Sequence, residues 1–131
     1  VSALALLIGL IFRNRPVQMT ASLLVALTAL SFWPVAEFGE KGEDRVESMV
    51  NSDGKAWLEY HAGLADRYGW LFYVTAGAAA THVVLAWRRW KWTVPVGLVV
   101  FILCLGALGA VAQIAWAGGK IRHPEFRTGP P

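Results

Sequence analysis

Three stretches, residues 17–38, 69–87 and 94–117, are almost uninterruptedly apolar, and each is close to the roughly 20 residues a helix needs to cross the hydrocarbon core of a bilayer. This feature constrains the chain more than any other, because a segment of that length and character has no stable place in water. Composition agrees. Of 131 residues, 56% are hydrophobic and 16% charged, whereas soluble domains average about 45–50% and about 25%. A soluble enzyme and a disordered tail are excluded, and the single cysteine, Cys104, cannot close an intrachain disulfide. The expected fold is an all-α integral membrane bundle forming a single domain over residues 1–131. It has three full transmembrane helices and a partial first helix at residues 1–12, read as the last half of a helix or as a short or re-entrant one. A signal peptide fits less well, since no basic segment precedes these residues.

Charge placement sets the expected orientation, because short cytoplasmic loops collect Lys and Arg. Arg13 and Arg15 follow the first segment, and Arg88, Arg89 and Lys91 follow the third, with no acid among them. The connections 13–16 and 88–93 are therefore expected in the cytoplasm. Residues 39–68 carry Glu40, Glu43, Asp44, Glu47, Asp53, Glu59 and Asp66 and are expected, with the tail 118–131, on the outer side. Within that segment, residues 40–52 read as a charged loop or frayed helix. From an N-cap at Asp53, the residues Trp57, His61, Leu64 and Tyr68 fall on one helical face, so a short amphipathic helix should lie on the surface or extend the next span.

Tryptophan prefers the headgroup level. Trp87, Trp90 and Trp92 flank the basic turn, and Trp33, Trp70 and Trp116 stand near the other ends of the spans, so these six read as interfacial anchors, with pigment or quinone stacking as the alternative. Helices in lipid associate through close backbone approach. Gly77, four before Thr81, and Gly106, four before Ala110, mark the expected packing faces of the last two spans.

Three histidines carry most of the possible chemistry. His61 lies nine residues before Trp70 and His123 seven after Trp116, which places both roughly 10–14 Å beyond their anchors on the same side. There they could meet, either as haem or metal ligands completed by Glu125, Glu59 or Asp66, or as interfacial histidines bonded to backbone or lipid. Paired glycines, Gly118 and Gly119, are expected to end the last helix and let the tail fold back. His82, five residues inside Trp87, lies roughly 7 Å into the bilayer, where an ionisable group is a functional candidate. A hydrogen bond to a neighbouring helix or subunit, a quinone or proton role, and haem ligation with Met19 are its alternatives. Gln113, Thr75 and Thr81 are expected to hydrogen-bond between helices or to their own carbonyls. No phosphate-binding, dinucleotide-binding, haem-attachment or nucleophile motif is present, and basic residues confined to the membrane face exclude nucleic acid as a partner.

The sequence Tyr60-His61-Ala62-Gly63-Leu64 at the start of the third helix and Ala117-Gly118-Gly119-Lys120 at the end of the fourth resemble a family of small four-helix bacterial membrane proteins of unknown function, over roughly residues 17–125. Family members often open with His-Pro and His-Phe-Pro motifs at the outer end of the first helix, which this chain lacks. Links between some relatives and c-type cytochromes imply an electron-transport membrane. The expected role is a non-catalytic subunit of the bacterial inner membrane that docks through its small-residue and Trp-rich faces onto other membrane protein subunits and stabilises a larger respiratory or photosynthetic assembly. A haem- or metal-binding redox protein using the outer histidines, and a small transporter, are the alternatives. Lipid, quinone or pigment are the expected small-molecule contacts.

Overall fold

The computed structural model describes residues 1–129 and 131. Its described residues form five α-helices, α1 (Ser2–Ile11), α2 (Arg15–Leu30), α3 (Phe32–Glu47), α4 (Ser52–Trp87) and α5 (Thr93–Arg122), and one 3-10 turn (Pro124–Phe126). No strand is present among them. The run Arg15–Glu47, together with α4 and α5, supplies three helices long and apolar enough to cross a membrane. The fold is an all-α helical bundle and the protein a multi-pass membrane protein. At 1.5 Å per residue, the 36 residues of α4 and 30 of α5 reach about 54 Å and about 45 Å, well beyond the roughly 30 Å of hydrocarbon. Both helices therefore carry turns outside it.

Several boundaries differ from the sequence expectation, each for a local reason. The first full span breaks at Ser31, between α2 and α3. Pro34 lacks the N–H that would bond the Leu30 carbonyl four residues back, so the ladder cannot run through. Residues 39–47 belong to α3, so of the loop and the helix expected for the charged stretch they form the helix. The interruption before the next span is residues 48–51, and of the two placements expected for the Trp57–Tyr68 helical face the structure has the second, since residues 53–68 are the opening turns of α4 and extend that span. Asn51, not Asp53, caps that helix, its Oδ1 accepting the Gly54 N–H at 2.9 Å. Gly118 and Gly119 lie inside α5, which stops only at Arg122, one residue short of the His123–Pro124 pair, where proline steers the preceding residue out of the helical region.

Contacts divide the chain into two compact units. The first, Val1–Phe32 with Trp70–Leu108, is centred on Leu6, Leu10, Val25, Ala79, Val100 and Cys104. Phe32 stacks on Phe72 at its margin, with ring centroids 4.4 Å apart. The second, Trp33–Gly69 with Gly109–Pro131, is centred on Trp57, Leu58, Leu64, Ala117 and Ile121. Charge separates with the units. The first contains Arg13, Arg15, Arg88, Arg89 and Lys91 and no acid, while all nine acidic residues lie in the second.

The two basic connections are closed alike. After α1, the Asn14 N–H bonds the Gly9 carbonyl at 2.8 Å and the Arg13 N–H bonds Leu10 at 3.2 Å. After α4, the Trp90 N–H bonds Leu85 at 3.0 Å and the Arg89 N–H bonds Ala86 at 3.3 Å. Both are Schellman closures, in which the turning residue is left-handed and usually glycine. Here that residue is arginine, Arg13 at φ 50° and Arg89 at φ 55°, a conformation that costs an L-residue about 1–2 kcal/mol. Arg89→Gly is therefore expected to raise stability by up to about 1 kcal/mol, since glycine's greater chain entropy offsets part of the relief. Thermal unfolding in detergent should show a higher midpoint; a lower one would contradict this account of the turn.

Candidate functional site

Within the first unit, α2 presents Gln18 and Ser22 one turn apart on the face it turns inward, and both are buried. His82 of α4 is fully buried, at 0% exposure, with Nδ1 2.7 Å from the Ser22 hydroxyl. Its Nε2 looks onto the α5 backbone at Thr93 and Gly97 and meets no partner in hydrogen-bonding geometry. A Cβ on Gly97 would stand 2.8 Å from that nitrogen and 2.6 Å from Leu10 Cδ2. Glycine is required there because helix backbone, imidazole ring and leucine tip share one space. Gln18 is 2% exposed and reaches across to α1, where Nε2 donates to the Gly9 carbonyl at 2.9 Å. That bond identifies the other atom as Oε1, which has no partner. Gly9 accommodates it, since a Cβ would lie 3.0 Å from the Gln18 backbone nitrogen.

The second unit holds the other two histidines. His61 Nδ1–H donates to the Ile114 carbonyl at 2.8 Å, and its ring lies against Gly118, whose missing Cβ would stand 3.1 Å from it. His123 is exposed and pairs with Glu125 through Nδ1 at 2.9 Å. The Glu125 carboxyl is held below its usual range, first by its own backbone N–H and then by the His123 ring. Among the described residues no group of three His, Cys, Asp or Glu side chains could hold a metal, so the joint site expected of His61, His123 and Glu125 is not assembled. Gln113 accepts a bond from the Tyr68 hydroxyl at 3.2 Å. Thr75 and Thr81 return their hydroxyls to the carbonyls of Leu71 and Gly77 at 2.7 and 2.8 Å.

The six tryptophans Trp33, Trp70, Trp87, Trp90, Trp92 and Trp116 are all between 54% and 70% exposed. Of the expected packing residues, Ala110 is buried and Gly106 lies in ordinary contact range of Leu71, 3.6 Å for a notional Cβ. Gly77 has nothing within 4 Å. It faces outward, and the close approaches fall instead at Gly9, Gly97 and Gly118.

Sequence reasoning passed over Gln18 and Ser22, and counted Gly97 only as one small residue among several in the last span. Two polar residues four apart in an otherwise apolar span were the available signal for the first two; nothing in the sequence distinguishes Gly97 from the glycines that touch nothing. It also passed over Lys120, 8% exposed, whose ammonium lies 4.5 Å and 3.8 Å from the Trp57 and Trp116 ring centroids. Enclosure between two indole faces offsets the cost of burying that charge. Arg127 closes the same region: Nε donates to the Lys120 carbonyl at 2.6 Å, Nη1 to Asn51 Oδ1 at 2.8 Å, and Nη2 to the Ile121 carbonyl. One side chain thus caps the C-terminus of α5 and ties the tail to the cap of α4.

No family model, curated protein or solved structure matches the chain.

Overpacking a filled core costs about 1–3 kcal/mol, and Gly97→Ala is expected to destabilise by that order despite alanine's better helix propensity. Removing the ring in Gly97→Ala/His82→Ala should recover part of the loss, which a double-mutant cycle of thermal unfolding in detergent reads directly. Strict additivity would show that the glycine does not make room for the histidine.

Proposed function

We propose that the protein is a non-catalytic integral membrane subunit that docks onto a larger electron-transport assembly. The observation that carries this reading is the uncovered face of α4. Gly77, Ala80, Thr81 and Val84 recur at helical spacing and are all exposed, and Gly77 has only open space around it. Small residues at that spacing let a second helix approach closely, and Thr81 withdraws its hydroxyl from such an interface by bonding the Gly77 carbonyl. The outer surface of α5 is equally uncommitted, with 22% of its apolar window buried within the chain. The resemblance to small four-helix bacterial membrane proteins belongs to the same reading, as does placement in a bacterial inner membrane. The unmixed positive charge of the 13–16 and 88–93 connections supports a cytoplasmic position for them and an outer position for the acid-rich residues.

Because nothing within 4 Å opposes a larger side chain at position 77 and leucine is the better helix former, Gly77→Leu should not lower thermal stability in detergent. The same substitution should strip copurifying subunits from chain extracted in mild detergent from native membranes. A chain that runs alone as a monomer in every mild detergent, with or without the substitution, would overturn the docking role.

One observation favours a second reading, a haem- or metal-binding redox protein. Metal-binding histidines commonly donate one ring N–H to a backbone carbonyl, and His61 does so to Ile114, leaving Nε2 available. A Soret band or stoichiometric metal that disappears in His61→Ala would establish it in place of the docking role.

A further inference from the structure

At the basic end of the first unit, an open cleft of about 380 Å³ is lined by Arg13, Arg15 and Lys91 together with Gln18, Trp90 and Thr93, a volume within the range of small-molecule pockets. The three cations arrive from separate local structures. Arg13 is the left-handed residue that closes α1, Arg15 opens α2, and Lys91 lies in the connection between α4 and α5. None forms a salt bridge among the described residues, and no carboxylate exists anywhere in this unit to neutralise them. The positive ends of the α2 and α5 dipoles open at the same place. Positive charge gathered in a concave site and left uncompensated is a device for holding an anion, and guanidinium groups match phosphate oxygens in pairs.

Two further features narrow the ligand. The Gln18 amide is locked by its Nε2 bond to Gly9, and its buried Oε1 lacks a donor, a deficit that a ligand hydroxyl would satisfy. Trp90 and Val94 complete the wall, and Trp87, Trp90 and Trp92 mark this level as the headgroup zone. Basic pockets between transmembrane helices at that level suit anionic lipid headgroups.

We propose that the cleft binds a phosphate ester bearing a free hydroxyl, the chemistry of a glycerol phosphate headgroup. Arg13, Arg15 and Lys91 hold the phosphate, and Gln18 accepts from the hydroxyl. The site is independent of the docking role above, since it involves none of the α4 face that carries that reading.

The test uses the full chain in detergent, titrated with short-chain phosphatidylglycerol, phosphatidylcholine, glycerol 3-phosphate or inorganic phosphate, and read by native mass spectrometry and thermal shift. Phosphatidylglycerol should bind and raise the midpoint, with affinity falling as salt is added, and phosphatidylcholine should not. At about fivefold per cation, Arg15→Gln or Lys91→Gln alone should weaken binding about fivefold, and the triple variant with Arg13→Gln about a hundredfold. Arg67→Gln, a cation outside the cleft, should bind as the unaltered chain does. Gln18→Leu should lower affinity for phosphatidylglycerol more than for phosphatidic acid, which has no alcohol hydroxyl on its headgroup. Competition by glycerol 3-phosphate at matching affinity would assign the same chemistry to a soluble ester instead of a lipid. Equal binding of phosphatidylglycerol and phosphatidylcholine, or unchanged phosphatidylglycerol binding by the folded triple variant, would overturn the proposal.

Discussion

Hydrocarbon offers no hydrogen-bond partner, so every backbone polar group carried into it must find one within the protein and each side-chain polar group left without one is costly, and the rest of the structure follows from that constraint. Helices satisfy the backbone. Gln18 Nε2, the Ser22 hydroxyl and His82 Nδ1 find partners only because α1, α2 and α4 approach closely enough for Gln18 to reach the Gly9 carbonyl and for Ser22 to meet the His82 ring, while Gln18 Oε1 and His82 Nε2 stay unpaired among the described residues. Glycine at positions 9 and 97 permits that approach, because a Cβ at either would stand within about 3 Å of its neighbours. Interhelical hydrogen bonds in lipid are individually modest, averaging about 0.6 kcal/mol. Their value here is geometric: an apolar seam can slide, whereas an imidazole set between one hydroxyl and one glycine has a single register.

The two units carry opposite chemistry. The first concentrates apolar side chains and places its charge in two short, tightly closed turns. The second mixes acids, bases and aromatics and is fastened by side chains, chiefly Arg127 at Asn51 and the last turn of α5 and Lys120 between two indole rings. Surface ion pairs such as Lys41–Glu37 and Lys55–Glu47 add little by comparison, since exposed pairs contribute about 0–1 kcal/mol. Arginine in both left-handed turn positions, where glycine would be easier, places charge in these turns at some conformational cost.

How much of this was legible in the sequence depends on whether the cause is local. The spans follow from runs of apolar residues, and the face Trp57, His61, Leu64 and Tyr68 from helical spacing; Trp57 and Leu64 are core residues of the second unit and Tyr68 packs against them. The break at Ser31 was also legible, since Pro34 announces it, but the continuous apolar run obscured it. The roles of Gly97, Gly118 and Lys120 were not. Each depends on what another helix places opposite, namely His82, His61 and Trp57, and no periodicity within one segment encodes that. The same reason separates Gly77, which has every sequence mark of a packing glycine and touches nothing, from Gly97, which has fewer and sits in the tightest contact of the first unit. For His61 and His123, helical rise put both at one expected level but said nothing of azimuth, and His61 turned to Ile114 while His123 turned to Glu125.

A single crossing of the bilayer by α4, between its acidic first half and the basic turn that follows it, underlies both the docking face and the basic cleft. Cysteines introduced singly as Lys55→Cys and Lys91→Cys in a Cys104→Ser background, labelled in sealed vesicles with a membrane-impermeant maleimide, test this directly. The two positions should react from opposite compartments; labelling of both from the same side of intact vesicles would contradict it.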